Sequence, residues 1–140
     1  MNGFEVFFPG GKKVAANYRG FTIATDQPVQ GGGEDTAPSP FELFLSSLAT
    51  CAGFYVLRFC QQRNIPTDDI RLVQRMEYDP RTHMVSGVDI EIILPRDFPA
   101  QYREAVVRAA EQCTVKKHLQ VPPAIAVRAT AAPVTAPIAG

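Results

Sequence analysis

Apolar and polar residues alternate in short runs near the start of the chain. The spacing turns helical at Pro40, returns to alternation near Ile70, and turns helical again after Pro99. Phe4 to Phe8 predicts a first strand, closed by Pro9, Gly10 and Gly11. Lys13 to Asn17 and Phe21 to Thr25 predict the arms of a hairpin turning at Arg19-Gly20. Asp26 to Ser39 has no apolar period and holds Pro28, Gly31, Gly32, Gly33 and Pro38, so it reads as a loop.

A helix start follows. Ser39 suits the cap, Pro40 the first helical position, and Glu42 stands three residues after Ser39, which makes a capping box. The helix is predicted to run from Pro40 to about Arg63, where Asn64, Ile65 and Pro66 end it. Ile70 to Tyr78 and Val88 to Leu94 each alternate as strands do, and Asp79-Pro80-Arg81-Thr82 makes the turn between them. After Pro99, residues Tyr102, Ala105, Val106, Ala109, Ala110 and Cys113 fall on one helical stripe. A short helix over Val115 to Leu119 stops at Pro122-Pro123, and Ile125 to Thr130 predicts a last strand.

Strands and helices come in blocks, so the expected class is α+β rather than a parallel βαβ sheet. A single domain over residues 1–130 is expected, with a loose Ala- and Pro-rich tail over 131–140. The helix from Pro40 is apolar on nearly every face, unlike a surface helix. A chain this short can hardly cover such a helix alone, so a dimer is expected.

Composition narrows the classes further. Hydrophobic residues make up 46% of the 140, as in a packed globule. Fourteen basic residues balance fourteen acidic ones, so no charge excess favours nucleic acid or an anionic membrane as partner. The longest apolar stretch, Leu43 to Leu57, is interrupted by Ser46, Ser47 and Thr50 and falls short of the roughly 20 residues of a membrane span. It reads as a buried core helix. Met1 to Phe8 contains Glu5 and lacks both a basic leader and a long apolar core, so the expected compartment is the cytoplasm.

Three cysteines are too odd a set for a disulfide scaffold and leave free, metal-bound or redox-active thiols open. Cys51 lies mid-helix, where a cysteine is usually just a small hydrophobe. Gly53 nearby costs a helix about 1 kcal/mol relative to alanine, which suggests that something approaches closely there. Arg58, two turns on, shares the Cys51 face and would favour a thiolate weakly. Cys113 either ends the apolar stripe or sits at the start of a new helix, where the dipole and Lys116 and Lys117 would lower its pKa. Cys60 is on roughly the opposite face from Cys51 and reads as structural.

Other chemistries find little support. His83 and His118 are the only histidines, and no cysteine pair has zinc-knuckle spacing, so no metal is expected. Neither Gly31-Gly32-Gly33 nor Gly10-Gly11-Lys12-Lys13 has the pattern of a phosphate loop or dinucleotide fingerprint, and no cofactor is expected. Glu42 is a candidate general base whose capping role already accounts for it.

The run Pro38-Ser39-Pro40-Phe41-Glu42-Leu43 and on to Cys51 resembles the Pro-x-Glu-Leu…Cys helix of OsmC-like proteins. Cys113-Thr114-Val115 resembles their Cys-Pro-Val motif, with Thr114 in place of proline. The interval between the two cysteines is similar too, and the resemblance runs from about Val6 to about Thr130.

It implies an OsmC-like fold: antiparallel sheets, a long central buried helix and an intertwined homodimer with active sites at the subunit interface. It implies that Cys51 attacks a peroxide, that Cys113 resolves the sulfenic acid to a disulfide, and that an external dithiol resets the pair. In the organic hydroperoxide resistance branch an arginine after Gly-Gly and a glutamate right after the proline support the thiolate. Here Lys12 and Phe41 stand at those places, and the acid is one place later at Glu42. The function expected is thus a two-cysteine thiol peroxidase for organic hydroperoxides, with Cys51 and Cys113 catalytic and Glu42 and Lys12 as candidate supports. The alternatives are a non-enzymatic redox sensor and a binding module for a small apolar ligand.

Overall fold

The computed structural model describes residues 3–132. They group into two compact units. One comprises the residues up to Phe44 with those from Ala124 on, and the other is Leu45–Pro123. The class is α+β with antiparallel sheets, as the block order of elements implied. The expected tail over 131–140 lies outside the described residues from residue 133 on.

The first unit is built on a three-stranded meander of β1 (Glu5–Gly10), β2 (Lys13–Tyr18) and β3 (Phe21–Thr25), in that spatial order. The β2–β3 turn falls where the sequence placed it. Arg19 and Gly20 both have positive φ, 47° and 83°, and Tyr18 pairs with Phe21. Two positive φ values in a two-residue turn match the right-handed twist of the strands it joins. β1 extends past the predicted Phe8, because Gly10 still pairs with Lys13 across a register shift.

The loop after β3 is ordered around one carboxylate. Asp26 is 1% exposed and accepts the Gln27 N–H at 2.7 Å, the Thr36 N–H at 3.1 Å and the Thr36 hydroxyl at 2.6 Å. The Thr36 hydroxyl, followed by the two N–H groups, outweighs burial and lowers the Asp26 pKa to about 2. Gly33 closes the same loop. A Cβ there would lie 2.0 Å from the Gln27 carbonyl oxygen, so no side chain fits.

The predicted strand over Ile125–Thr130 does not form. Residues 124–132 carry no regular element, and Ile125 and Val127 are 86% and 95% exposed. Alternation gives strand propensity, but a strand also needs a neighbour to complete its hydrogen bonds.

The long helix α1 (Pro40–Gln61) begins in the first unit and continues into the second. Its start is the predicted capping box: the Ser39 N–H donates to Glu42 Oε1 at 3.0 Å and the Glu42 N–H to Ser39 Oγ at 3.2 Å. At its end Asn64 takes a left-handed φ of 56°, and the Ile65 N–H closes on the Cys60 carbonyl at 2.9 Å.

In the second unit α1 buries one stripe, Leu45, Leu48, Ala52, Val56, Phe59 and Cys60. The antiparallel pair β4 (Arg71–Tyr78) and β5 (Val85–Ile93) contributes Leu72 and Ile92 to that core. A single 3-10 turn, Ala100–Tyr102, leads into α2 (Arg103–Ala110), whose Val106 is fully buried against Val56, Phe59, Cys60 and Phe98. Gln74 Nε2 ties β4 to the helix through the Leu45 carbonyl at 2.9 Å. The last helix is α3 (Thr114–Gln120).

By length and composition α1 is apolar enough to cross a membrane. Here one stripe of it serves as core, while Phe54 and Leu57 on other faces stay exposed in the single chain. The close approach expected at Gly53 is absent among the described residues: a Cβ there would meet nothing within 4 Å.

The Asp26 network has a pH signature. Its folded pKa lies below the ordinary 3.8, so its contribution to stability is present above that value and is lost as pH falls towards about 2. Asp26→Asn is expected to melt below the parent protein at neutral pH. The gap should narrow steadily between those two pH values, as followed by circular dichroism melts. A gap independent of pH across that window would show that the carboxylate charge contributes nothing.

Candidate functional site

The two predicted thiols meet within the second unit. Cys51 sits mid-way along α1, half-buried, and Cys113 is the residue preceding α3 and is 3% exposed. A cysteine at a helix cap replaces the usual serine or aspartate. Its sulfur accepts the Lys116 N–H at 3.4 Å and lies 3.9 Å from the Leu48 carbonyl, an alternative acceptor for the one thiol proton. Of the two readings left open for Cys113, the structure takes the second, with burial retained from the first.

The segment that Cys113 caps is folded back onto Cys51. The groups that favour the charged form of the Cys51 sulfur are, in falling order, the Val115 N–H, the Cys113 thiol, the Thr114 N–H and the Thr114 hydroxyl. Burial is the largest single influence on Cys51 and raises its pKa, but the donors together outweigh it and hold the thiol below its ordinary value. Cys113 moves the other way. Burial pushes its thiol up, and the adjacent Cys51 sulfur adds to the rise, while the Lys116 and Val115 N–H groups only partly oppose it. Of the two thiols, Cys51 is thus the one that ionises more readily.

That assignment corrects two expectations. The lowering of pKa that went with a helix start at Cys113 falls on Cys51 instead, because at Cys113 burial outweighs the Lys116 and Val115 N–H groups, while at Cys51 the donors outweigh burial. Arg58 is turned to Tyr55, its guanidinium 5.0 Å over that ring, and is not among the main influences on Cys51. Cys60 is structural as expected, fully buried in the core, with its thiol pushed up by burial against the opposing charge of Arg63.

The other two candidate residues belong to the first unit. Glu42 has its carboxylate committed to the Ser39 cap, whose N–H and hydroxyl hold its pKa below the ordinary value. Lys12 lies in the β1–β2 turn, with its side chain beside Gly32. Among the described residues no three His, Cys, Asp or Glu side chains gather where they could hold a metal ion.

Beside Cys113 the second unit opens a cleft of about 330 Å³, whose lining does not include Cys51. Leu48 and Ala52 of α1, Ile90 and Ile92 of β5, and Val107 of α2 make it mostly apolar. Cys113 lines its wall, and Glu111 and Lys116 supply the polar groups. Sequence reasoning missed Tyr55, whose hydroxyl lies 3.0 Å from the Thr114 hydroxyl. Its place four residues after Cys51, one turn along the same face, was the signal that was available.

The family model described as OsmC-like protein matches residues 32–128. Among solved structures, a Psychrobacter arcticus protein described as an osmotic stress induced and detoxification response protein superposes with a TM-score of 0.71. The two are 24% identical over 84% of this chain and 87% of that one. An OsmC-like protein from Mycoplasma pneumoniae gives a TM-score of 0.65 at 13% identity, over 86% and 87%. An organic hydroperoxide resistance protein OsmC from Legionella pneumophila gives 0.53 at 18% identity, over 84% and 89%. At such identities the likeness concerns the fold. Comparison with curated proteins finds no match.

If the Cys113 thiol is one of the donors that ionise Cys51, its removal is measurable. In Cys113→Ala, alkylation of Cys51 at neutral pH should slow about three- to tenfold. The rate at alkaline pH, where all of Cys51 is thiolate, should be unchanged. Peptide mapping after timed iodoacetamide labelling reads both, and a neutral-pH rate equal to the parent's would remove Cys113 from the donor set.

Proposed function

The chain belongs to the OsmC-like protein family, and on that premise we propose that it is a thiol-dependent peroxidase reducing organic hydroperoxides through a Cys51–Cys113 disulfide cycle. The observation that carries this reading is the opposite shift of two neighbouring thiols. A thiolate is the nucleophile and a neutral thiol is a poor one, so the pair has a built-in order of events.

In the first step the Cys51 thiolate attacks the outer oxygen of RO–OH. The O–O bond breaks, sulfur gains the hydroxyl as sulfenic acid, and the alkoxide leaves and takes a proton from solvent to become ROH. Sulfur is oxidised by two electrons and the peroxide is reduced by two. In the second step Cys113 gives its sulfur to Cys51. The S–O bond breaks, an S–S bond forms, and the hydroxyl departs with the Cys113 proton as water. An external dithiol then exchanges with the disulfide, releases both thiols and leaves as its own disulfide. The apolar cleft beside Cys113 suits an alkyl or aryl group on the peroxide rather than hydrogen peroxide itself.

The same cleft is the observation favouring a second reading, a binding module for a small apolar ligand with Cys113 as wall. That reading requires no disulfide. We also infer a homodimer, supported by the exposure of Phe54 and Leu57 along α1, since apolar side chains so grouped usually meet a partner. Cytoplasmic residence is inferred from three free cysteines in one chain.

The roles predict unequal variants. Cys51→Ser is expected to abolish peroxide consumption, while Cys113→Ser should complete one oxidation and stall with sulfenic acid on Cys51. Mass spectrometry after one equivalent of an alkyl hydroperoxide reads this directly. Sulfenic acid on Cys113 in Cys51→Ser would reverse the roles. If the parent oxidises no faster than a free thiol, the binding module is the better account. For assembly, light scattering over a dilution series should report a dimer, and a folded monomer at micromolar concentration would refute it.

A further inference from the structure

We propose that Tyr55 and Thr114 are positioning residues that aim a hydroxyl proton at the Cys51 sulfur. The inference deepens the reading above, since it concerns activation of the same thiol. It starts from the Tyr55–Thr114 hydroxyl pair, 3.0 Å apart, which the thiol chemistry has so far left unused.

Either oxygen of that pair can be the donor, and the choice matters. A threonine hydroxyl has one proton and two acceptor positions. If Thr114 gave its proton to Tyr55, it would turn lone pairs towards the sulfur. If Tyr55 donates to Thr114, the Thr114 proton is free for Cys51, whose charged form that hydroxyl favours. A phenol is a better donor than an alkyl alcohol. A thiolate can only accept, so a charged Cys51 favours the second arrangement. The chain then runs one way, from the Tyr55 O–H to Thr114 Oγ1 and from the Thr114 O–H to Cys51. Linked donors of this kind polarise one another.

The surroundings hold Tyr55 for this role. Its ring meets Phe54 edge-on, 5.4 Å between centroids at 78°, and the Arg58 guanidinium lies 5.0 Å over its face. Thr114 is fixed from the other side, because its carbonyl is 2.7 Å from His118 Nδ1. Proline, which the similar motif has at the Thr114 position, has no hydroxyl and no N–H to offer. The donor is therefore a property of this chain's own residue. Both groups are partly in contact with water, which limits the effect to a modest one.

The test is timed alkylation of Cys51 in the full-length protein from acid to alkaline pH, read by peptide mapping. Thr114→Val, which keeps the shape and removes the hydroxyl, is expected to slow the neutral-pH rate about threefold. Tyr55→Phe should slow it about twofold, since it removes only the group behind the donor. In both, the alkaline limiting rate should equal the parent's. Tyr55→Phe added to Thr114→Val should change nothing more, because the chain is already broken. Thr114→Ser should restore the parent profile.

Three results would overturn the proposal. They are a parent-like neutral rate in Thr114→Val, a Tyr55→Phe effect that persists in full in the Thr114→Val background, or a Thr114→Ser variant as slow as Thr114→Val. Should Thr114→Val fail to fold by circular dichroism, a parent-like neutral rate in Tyr55→Phe or a Thr114→Ser rate slower than the parent's overturns the proposal instead. Alkylation reports the thiol and not turnover. Variants that alkylate as expected, in a protein that consumes no peroxide, would sink the peroxidase and leave this inference standing.

Discussion

Two sulfurs compete for one set of hydrogen-bond donors, and the site's chemistry rests on which of them wins. At Cys51 two N–H groups, the Cys113 thiol and the Thr114 hydroxyl together favour the charged form, whereas Cys113 receives the Lys116 N–H and is more deeply buried. Donors that would act as a helix cap in another protein are shared here with a neighbour 62 residues earlier in the chain. The asymmetry needs no buried cation. It follows from geometry, since a negative sulfur is stabilised where several donors converge and destabilised where burial removes water without replacing it.

That geometry depends on how α1 is placed. The reciprocal Ser39–Glu42 cap starts it, the Asn64 reversal ends it, and the stripe from Leu45 to Cys60 fixes its roll against β4, β5 and α2. Roll matters because Cys51 and Ala52 are adjacent yet serve different ends. Ala52 is buried packing, and Cys51 is half-open chemistry. The one pair of surface charges in this unit, Arg75 with Glu91 at 3.1 Å, is exposed and adds little. Burial of Val56, Phe59, Phe98 and Val106 does most of the stabilising.

Local signals are legible in the sequence where the physics is local. The capping box and the Arg19-Gly20 turn each depend on a few neighbouring residues and are found where the pattern put them, and the strand pair across Asp79 forms with β5 starting at Val85, three residues before the predicted Val88. The meeting of Cys51 with Cys113 is not legible from spacing, because it depends on how α3 folds back; only the resemblance of two motifs points to it. The direction of the Cys113 shift runs against expectation for a related reason. Burial at Cys113 outweighs the helix-start N–H groups it receives, and sequence order does not say how deeply a sulfur is buried. The strand expected at Ile125–Thr130 fails because propensity is a property of the segment and pairing is not. Asp26 gives no signal at all, since an acid inside a glycine-rich loop looks like any solvated one until Thr36 returns to meet it.

Cys60 gives the molecule a feature that has nothing to do with its chemistry. Its thiol is fully enclosed by the second unit's core and reluctant to ionise, so it is silent towards any reagent while that core is closed. Reagent reaches it only when Val56, Phe59, Phe98 and Val106 come apart. The natural chain therefore carries its own clock for breathing of the interior. The rate at which Cys60 becomes labelled counts openings of the core, while the label on Cys51 counts chemistry at the site, and the two can be followed at once in a single unmodified protein.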